Sequence, residues 1–347
     1  PGSDTANLSV LGYNPRDYYT GRSPLEALSI GVDMKTTDVA LRCNIVTVST
    51  DELPYEEKTI IDHSSSEIST EDAAVLLEAV RKELENDIYK FYVGTSYRHL
   101  TIWDKGEVVD LTPPHDVLGQ KIGQYLPKDD KLREMMKKSY DILSNHPINV
   151  ERMKRGLNPA NSLWFWGAGT RPMLTSFEEK TGHKGAMISA VDLLKGIAVG
   201  AGMKVIEVEG ANGGLDTNYE GKADAAVDVL LNGGCDFAYI HLEAPDEMGH
   251  QGSYERKVKA IENLDKRIIK RVVEKMEAAG EDFRMLVLPD HPTPVAIRTH
   301  VSDPVPYMLY DSTDKKNNTW SYNEKDGEAS GNYIAEGHTI INRLFEK

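Results

Sequence analysis

Three short stretches carry residue types that could do chemistry together. "FAYIHLEAPDEMGH" ends in Asp246 and His250, "MLVLPDHPTP" contains Asp290 and His291, and "AIRTHVSDPVPYMLYD" places His300 ahead of another strand-like run. In a parallel α/β sheet, ligands gather beyond the carboxyl ends of the strands, so polar residues at those ends are the ones to weigh. Taken singly each motif is weak: Asp-x-x-x-His also reads as a polar turn, and Asp often closes the turn after a strand. Together they offer two carboxylates and three imidazoles, a donor set suited to Zn²⁺, Mn²⁺ or a similar divalent ion. No cysteine joins them, which excludes a structural zinc knot and favours a hydrolytic or transfer site with open positions. Five such ligands exceed the needs of one catalytic ion. Two ions about 3.5–4 Å apart would use them, an arrangement that clamps a phosphoryl group during in-line displacement. Gly249 and Gly252 are read as letting the backbone bend so that Asp246 and His250 face one ion.

The elements that must position these residues are legible in outline. From about residue 156 the chain alternates strands and helices: "NSLWFWGAGTRP", "GAMISAVDLLKGIAVGAGMKVIEV", "ADAAVDVLLNGG", "CDFAYIHLEAPD", a long charged helix after Ser253, and "FRMLVLPDH". Apolar strands alternating with helices imply a mostly parallel sheet sandwiched by helices. Residues 1–40 read as loop and short helix. Between them lies a different texture: the alternating run "DVALRCNIVTVST", a helix after Ser69 as N-cap, a strand meander with a turn at Lys105-Gly106, and the helix "DKLREMMKKSYDILSN". The expected fold is therefore α/β, with residues 1–40 and 156–347 forming one domain and 41–155 a smaller inserted α+β domain.

Composition narrows the function. The chain has 347 residues, ample for a large core. Its formal net charge of −15 argues against a nucleic-acid groove or an anionic membrane surface, while leaving room for a local basic site for a small anion. Only Cys43 and Cys235 are present, without metal-ligand spacing, and the expectation is a reduced, cytoplasmic protein. The most apolar stretch, 186–208, is interrupted by Asp192, Lys195 and Lys204, so no membrane span is expected. The sequence leaves the oligomeric state open.

The order of "GSDTANLSVLGYNPRDYYTGRSPLEA", "GTSYRHL", "NPANSLWFWGAGTRP", "KGAMISAVDLLKGIAVGAGM", "GGLDTNYEGKA", "PDEMGHQG" and "PDHPTPVAIRTHVSDPVP" resembles the archaeal-type branch of the 2,3-bisphosphoglycerate-independent phosphoglycerate mutases, in the alkaline phosphatase superfamily. The resemblance covers nearly the whole chain. It implies an alkaline phosphatase-like α/β domain with the insertion as a cap, and a metal-dependent isomerase of glycolysis and gluconeogenesis that needs no 2,3-bisphosphoglycerate. Ser3 would be the nucleophile, becoming phosphoserine; on its residues alone an N-cap of the following helix is the stronger reading. Asp246, His250 and His300 match the ligands of one metal, and Asp290, His291 and Ser3 those of a second. Mn²⁺ or Zn²⁺ comes first, with Mg²⁺ or Co²⁺ as alternatives. The family's remaining ligand, an Asp in a D-G-M stretch, has no counterpart here, and the physiological protein is expected to be longer at its N-terminus.

The implied substrate is small and carries a phosphate and a carboxylate, so basic residues are expected to meet it. The candidates are Arg98 and His99 in the insertion, Arg171 and Lys195 in the α/β domain, and Arg22 near Ser3 in sequence. Each arginine could instead form a surface ion pair. The implied reaction interconverts 2-phosphoglycerate and 3-phosphoglycerate. Rival readings are a phosphatase, another phosphomutase or a homoserine kinase-like phosphotransferase of the same superfamily, and a non-enzymatic metal-binding relic.

Overall fold

The computed structural model describes residues 2–314 and 319–346. The chain divides into two compact units, Pro1–Tyr19 with Met173–Lys347, and Thr20–Pro172.

The second unit is built on an antiparallel sheet. Its strands are β1 (Val39–Val48), β2 (Ile60–Asp62), β3 (Tyr89–Thr95), β4 (Arg98–Trp103) and β5 (Ser162–Thr170). β1 is central: it pairs with β4 over Val39–Asn44, with β5 over Val39–Val46, and at its end with β2. All ten of its residues are buried, as a strand covered on both faces requires. Ser69 accepts the Asp72 N–H and so caps the helix Thr70–Leu84, and Asp129 caps Asp130–Leu143 in the same way. These helices bury Leu76, Leu77, Val80, Leu132, Met136 and Leu143 with Leu41, Cys43, Ile45 and Phe165 of the sheet. A shorter helix, Arg22–Ser29, contributes Ala27 to a second cluster with Ala40, Leu100 and Ile102.

The boundaries fall at 19/20 and 172/173 rather than at the expected 40/41 and 155/156. The physical reason is β5. "SLWFWGAGT", assigned from its sequence to the parallel sheet, instead pairs antiparallel with β1, and the helix Arg22–Ser29 packs on β1 and β5. Of the expected meander only the β3–β4 hairpin forms; Lys105 turns the chain at φ 52°, and residues 107–113 make no strand.

A glycine ties Thr20–Pro24 to β5. A methyl group on Gly169 would lie 2.3 Å from the Thr20 carbonyl oxygen and 2.9 Å from Pro24 Cγ. Gly169→Ala is expected to destabilise the protein by about 1–3 kcal/mol through overpacking, read as a lowered urea midpoint with unchanged slope.

The first unit holds β6 (Gly185–Ile188), β7 (Lys204–Val205) and β8 (Phe237–Ile240) in a three-stranded parallel sheet of order β7-β6-β8. β9 (Arg284–Val287) and β10 (Met308–Asp311) form a separate antiparallel pair. This departs from the single mostly parallel sheet expected of the sequence. Parallel pairing needs a crossover, and the segment 288–307 between β9 and β10 contains no helix to supply one. The helix Tyr219–Leu231 is fastened to the long helical stretch 254–279 by two-pronged Arg267–Glu220 and Arg271–Asp224 pairs. No helix of the described residues is long and apolar enough to cross a membrane.

Candidate active site

Ser3 is the first residue of the helix Ser3–Val10. Gly2 occupies the cap position and no side chain caps the helix, so Ser3 does not act as an N-cap. Its hydroxyl is left for another partner, and Oγ lies 3.0 Å from His291 Nε2. Helix N–H groups and the positive end of the dipole favour negative charge at this place. One turn on, buried Asn7 donates to the Ser3 carbonyl at 2.7 Å and to Asp290 Oδ2 at 3.0 Å, and accepts from Tyr239 at 2.6 Å. The nucleophile candidate is thus joined to the stretch after β9 through one amide side chain.

Asp246 and His250 sit on a helix, Ala244–His250, that starts four residues after β8. Four residues apart on a helix is one face, so the spacing itself aims both side chains the same way. This revises the part given to the glycines. Gly249 is helical; its lack of a side chain lets the Thr293 carbonyl approach, since a methyl there would lie 2.5 Å from that oxygen. Gly252, at φ 69°, turns the chain after the helix.

The donor atoms form two groups. His250 Nε2 is 3.3 Å from Asp246 Oδ2 and 3.1 Å from His300 Nε2, and His300 Nε2 is 3.2 Å from Asp246 Oδ1. His291 Nε2 is 3.0 Å from Ser3 Oγ and 3.4 Å from Asp290 Oδ2. Ligands at about 2.0–2.2 Å from one ion, tetrahedral or octahedral, stand roughly 2.9–3.5 Å from one another, and these separations fall in that range. The groups are adjacent: His291 Nδ1 is 3.9 Å from Asp246 Oδ1, and donor atoms of Asp246, His291 and His300 all lie within 4.8 Å of one another. Two carboxylates beside three imidazoles make a cluster of nitrogen and oxygen donors, the chemistry a divalent cation matches.

Supporting residues orient this set. Thr293 donates to Asp246 and lies 3.3 Å from His291 Nδ1. His250 Nδ1 is 3.0 Å from the Arg298 carbonyl, which leaves Nε2 for the cluster if Nδ1 carries the proton. His291 is buried, and burial lowers its pKa against the pull of Asp290, keeping the imidazole neutral as a ligand must be.

Three nearby residues went unnoticed in the sequence. His241 follows β8 directly; burial holds its pKa well below the ordinary value, and Ser189 Oγ is 3.2 Å from its Nδ1. Lys222 is 1% exposed, donates to the His241 carbonyl at 3.1 Å, and is pushed down to about 8 by burial, with Glu243 acting the other way. Lys257 donates to the Thr293 carbonyl at 2.6 Å. His241 was legible as a strand-end polar residue in the same stretch as Asp246; the two lysines gave no spacing signal.

The expected substrate residues have the following surroundings within their own units. Arg22 pairs with Glu26 at 2.8 Å, Arg171 donates to the Met34 carbonyl at 2.8 Å, and Lys195 pairs with Glu207 at 2.9 Å. Arg98 is exposed and lies over the Tyr97 ring. His99 is in the core, 2% exposed, with Nδ1 accepting the Gly94 N–H and Nε2 unpartnered among the described residues. It offers no nitrogen to a substrate at the surface. Burial pushes it down to about 4 from 6.5. As pH falls from about 6.5 toward 4, the unfolded chain takes up this proton first, so stability drops by up to about 3 kcal/mol and is whole only above that window. His99→Gln is expected to flatten that part of the stability–pH curve, measured by urea midpoints.

The sequence profile of 2,3-bisphosphoglycerate-independent phosphoglycerate mutase matches residues 1–149. The enzyme of that name from Methanosarcina barkeri is 51% identical, over 90% of this chain and 78% of that protein. A probable one from Geobacter sulfurreducens is 44% identical, over 100% of this chain and 87% of its own length. The chain belongs to the 2,3-bisphosphoglycerate-independent phosphoglycerate mutase family, in its archaeal-type branch. Two solved structures are similar in fold. One from Pyrococcus horikoshii superposes with TM-score 0.78 at 28% identity, covering 99% of this chain and 82% of that one. The cofactor-independent phosphoglycerate mutase from Thermoplasma acidophilum gives 0.63 at 25%, covering 99% and 86%. These relatives favour a mutase over the phosphatase, kinase-like and non-enzymatic readings.

Proposed function

We infer that this chain interconverts 2-phosphoglycerate and 3-phosphoglycerate without 2,3-bisphosphoglycerate. The observation that carries this reading is the Ser3 hydroxyl at 3.0 Å from His291, beside the Asp246–His250–His300 triangle, in a chain of this family. Ser3 Oγ attacks phosphorus and forms the new O–P bond; the ester oxygen leaves and takes a proton to become a glycerate hydroxyl. The other hydroxyl of glycerate then attacks phosphoserine, and Ser3 Oγ is released. Asp246, His250 and His300 would hold one divalent ion, and Ser3, Asp290 and His291 a second, Mn²⁺ or Zn²⁺ before Mg²⁺ or Co²⁺. When bound, such ions favour the alkoxide and offset charge on the phosphoryl oxygens. Asn7 fixes the Ser3 backbone against Asp290, and Thr293 fixes Asp246. The unit Thr20–Pro172 is given the part of a cap that keeps water from phosphoserine between the transfers.

The test is a coupled assay with 3-phosphoglycerate, no 2,3-bisphosphoglycerate and added Mn²⁺. Formation of 2-phosphoglycerate is the expected result. Release of inorganic phosphate without it would replace the mutase by a phosphatase.

A further inference from the structure

The segment "PTPVAIRTH", residues 292–300, leads from His291 to His300 with no regular secondary structure. It makes one tight turn: the Ile297 and Arg298 N–H groups both donate to the Pro294 carbonyl, at 3.1 and 2.8 Å. Arg298 closes the turn at φ 59°, in the left-handed region. Among the described residues of the first unit it is the only non-glycine residue with positive φ. Glycine is the ordinary residue at such a place, because a Cβ there crowds the following carbonyl. An arginine in this conformation must be held there by its surroundings, and such strain gathers at functional positions.

Two contacts hold it. The left-handed turn presents the Arg298 carbonyl to His250 Nδ1, 3.0 Å away. The guanidinium lies across Gly252, where a methyl group would stand 2.7 Å from Arg298 Cζ. Gly252 is itself at φ 69°, so the chain bends two residues after His250 and leaves that space. A carbonyl oxygen can only accept, so its bond to His250 requires the ring proton on Nδ1. That leaves Nε2 to face Asp246 at 3.3 Å and His300 at 3.1 Å. His300 comes two residues after Arg298. One residue thus sets two rings: its carbonyl bonds the first, and its backbone leads into the second.

We propose that Arg298 is a positioning residue, and that it acts through its left-handed backbone rather than through its charge. It locks the tautomer and orientation of His250, and so tunes affinity for the ion that Asp246, His250 and His300 would hold. The inference rests on the metal-dependent mutase reading. A β-branched residue is driven out of the left-handed region, whereas glycine enters it freely and keeps the carbonyl. Losing such an outer partner of a ligating histidine costs roughly 10–100-fold in metal affinity. Valine and glycine at this position therefore separate the backbone from the side chain.

The experiment titrates Mn²⁺ by calorimetry into the full chain after chelator treatment. Arg298→Val is expected to weaken binding by about tenfold or more, and Arg298→Gly to stay within about threefold of the parent. Valine within threefold of the parent overturns the proposal. Glycine as weak as valine also overturns it, because the effect would then belong to the arginine side chain. A second readout needs neither metal nor a variant at 298. Nitrogen NMR of the labelled, chelated parent, at a pH about two units above the ordinary imidazole pKa, should show the His250 proton on Nδ1. Its signal is assigned by its loss in His250→Gln. A proton on Nε2 overturns the proposal, even where Arg298→Val fails to fold. Absence of Mn²⁺ binding by the parent rejects the metal reading, and the tautomer then decides the Arg298 contact alone.

Discussion

Replacing Ser3 by alanine is expected to reduce phosphoryl transfer by roughly 10⁴-fold or more while leaving the fold intact. The size follows from chemistry: without Oγ there is no atom to accept the phosphoryl group, and glycerate hydroxyls have no phosphoserine to attack. The intact fold follows from position. Among the described residues Ser3 Oγ has its hydrogen-bond contact with His291, the helix cap is Gly2, and alanine is at least as good a helix former as serine. Urea midpoints of variant and parent should therefore agree within about 1 kcal/mol. A second readout separates the nucleophile from a bystander. Acid-quenching during turnover of 3-phosphoglycerate should trap a phosphoryl group on the peptide containing Ser3, and the variant should carry none. Retained turnover in the variant would sink the assignment. A phosphoryl group found instead on His291, which is 3.0 Å away, in a parallel base quench that preserves the acid-labile N–P bond, would move the nucleophile to that ring.

Much of this site could be read before any coordinates, because its donors announce themselves by residue type. Asp246 and His250 are four apart, and Asp290 and His291 adjoin, so local geometry brings each pair together. What sequence could not supply was pairing over long separations. β5 begins 114 residues after the end of β1, and nothing in "SLWFWGAGT" says that its partner is β1 rather than a parallel strand. That one pairing moved both domain boundaries. The burial of Arg42 was hidden for a related reason: between Leu41 and Cys43 it reads as the outward residue of an alternating strand, yet the helix carrying Glu26 and the ring of Trp166 bury it. His99 erred the other way. Beside Arg98 it reads as a second polar contact, but alternation along β4 turns it into the core opposite Cys43. Short polar side chains such as Asn7 and Thr293 carry no spacing signature and emerge only once the strand ends are placed.

Asp246→Asn is the second change with a large expected effect, and it acts on metal affinity rather than on the nucleophile. The Asp246 carboxylate faces His250 at 3.3 Å and His300 at 3.2 Å, stands 3.9 Å from His291, and accepts from Thr293. Asparagine keeps the size and one acceptor for Thr293 but removes the charge that a divalent cation would meet. The metal-free protein should hardly notice. The variant is expected to unfold within about 1 kcal/mol of the parent in chelator, because the buried contacts around residue 246 persist. Binding to the folded state alone stabilises it by about 2.7 kcal/mol when an ion is at a hundredfold excess over its Kd. The parent should therefore melt several degrees higher on adding Mn²⁺ or Zn²⁺, and the variant should lose most of that gain together with about 10³-fold or more of its turnover. Binding and activity must fall together for Asp246 to be a ligand. A variant whose melting rises with metal as much as the parent's, yet whose turnover is lost, would place Asp246 against the substrate instead. Unchanged turnover would remove it from the site altogether.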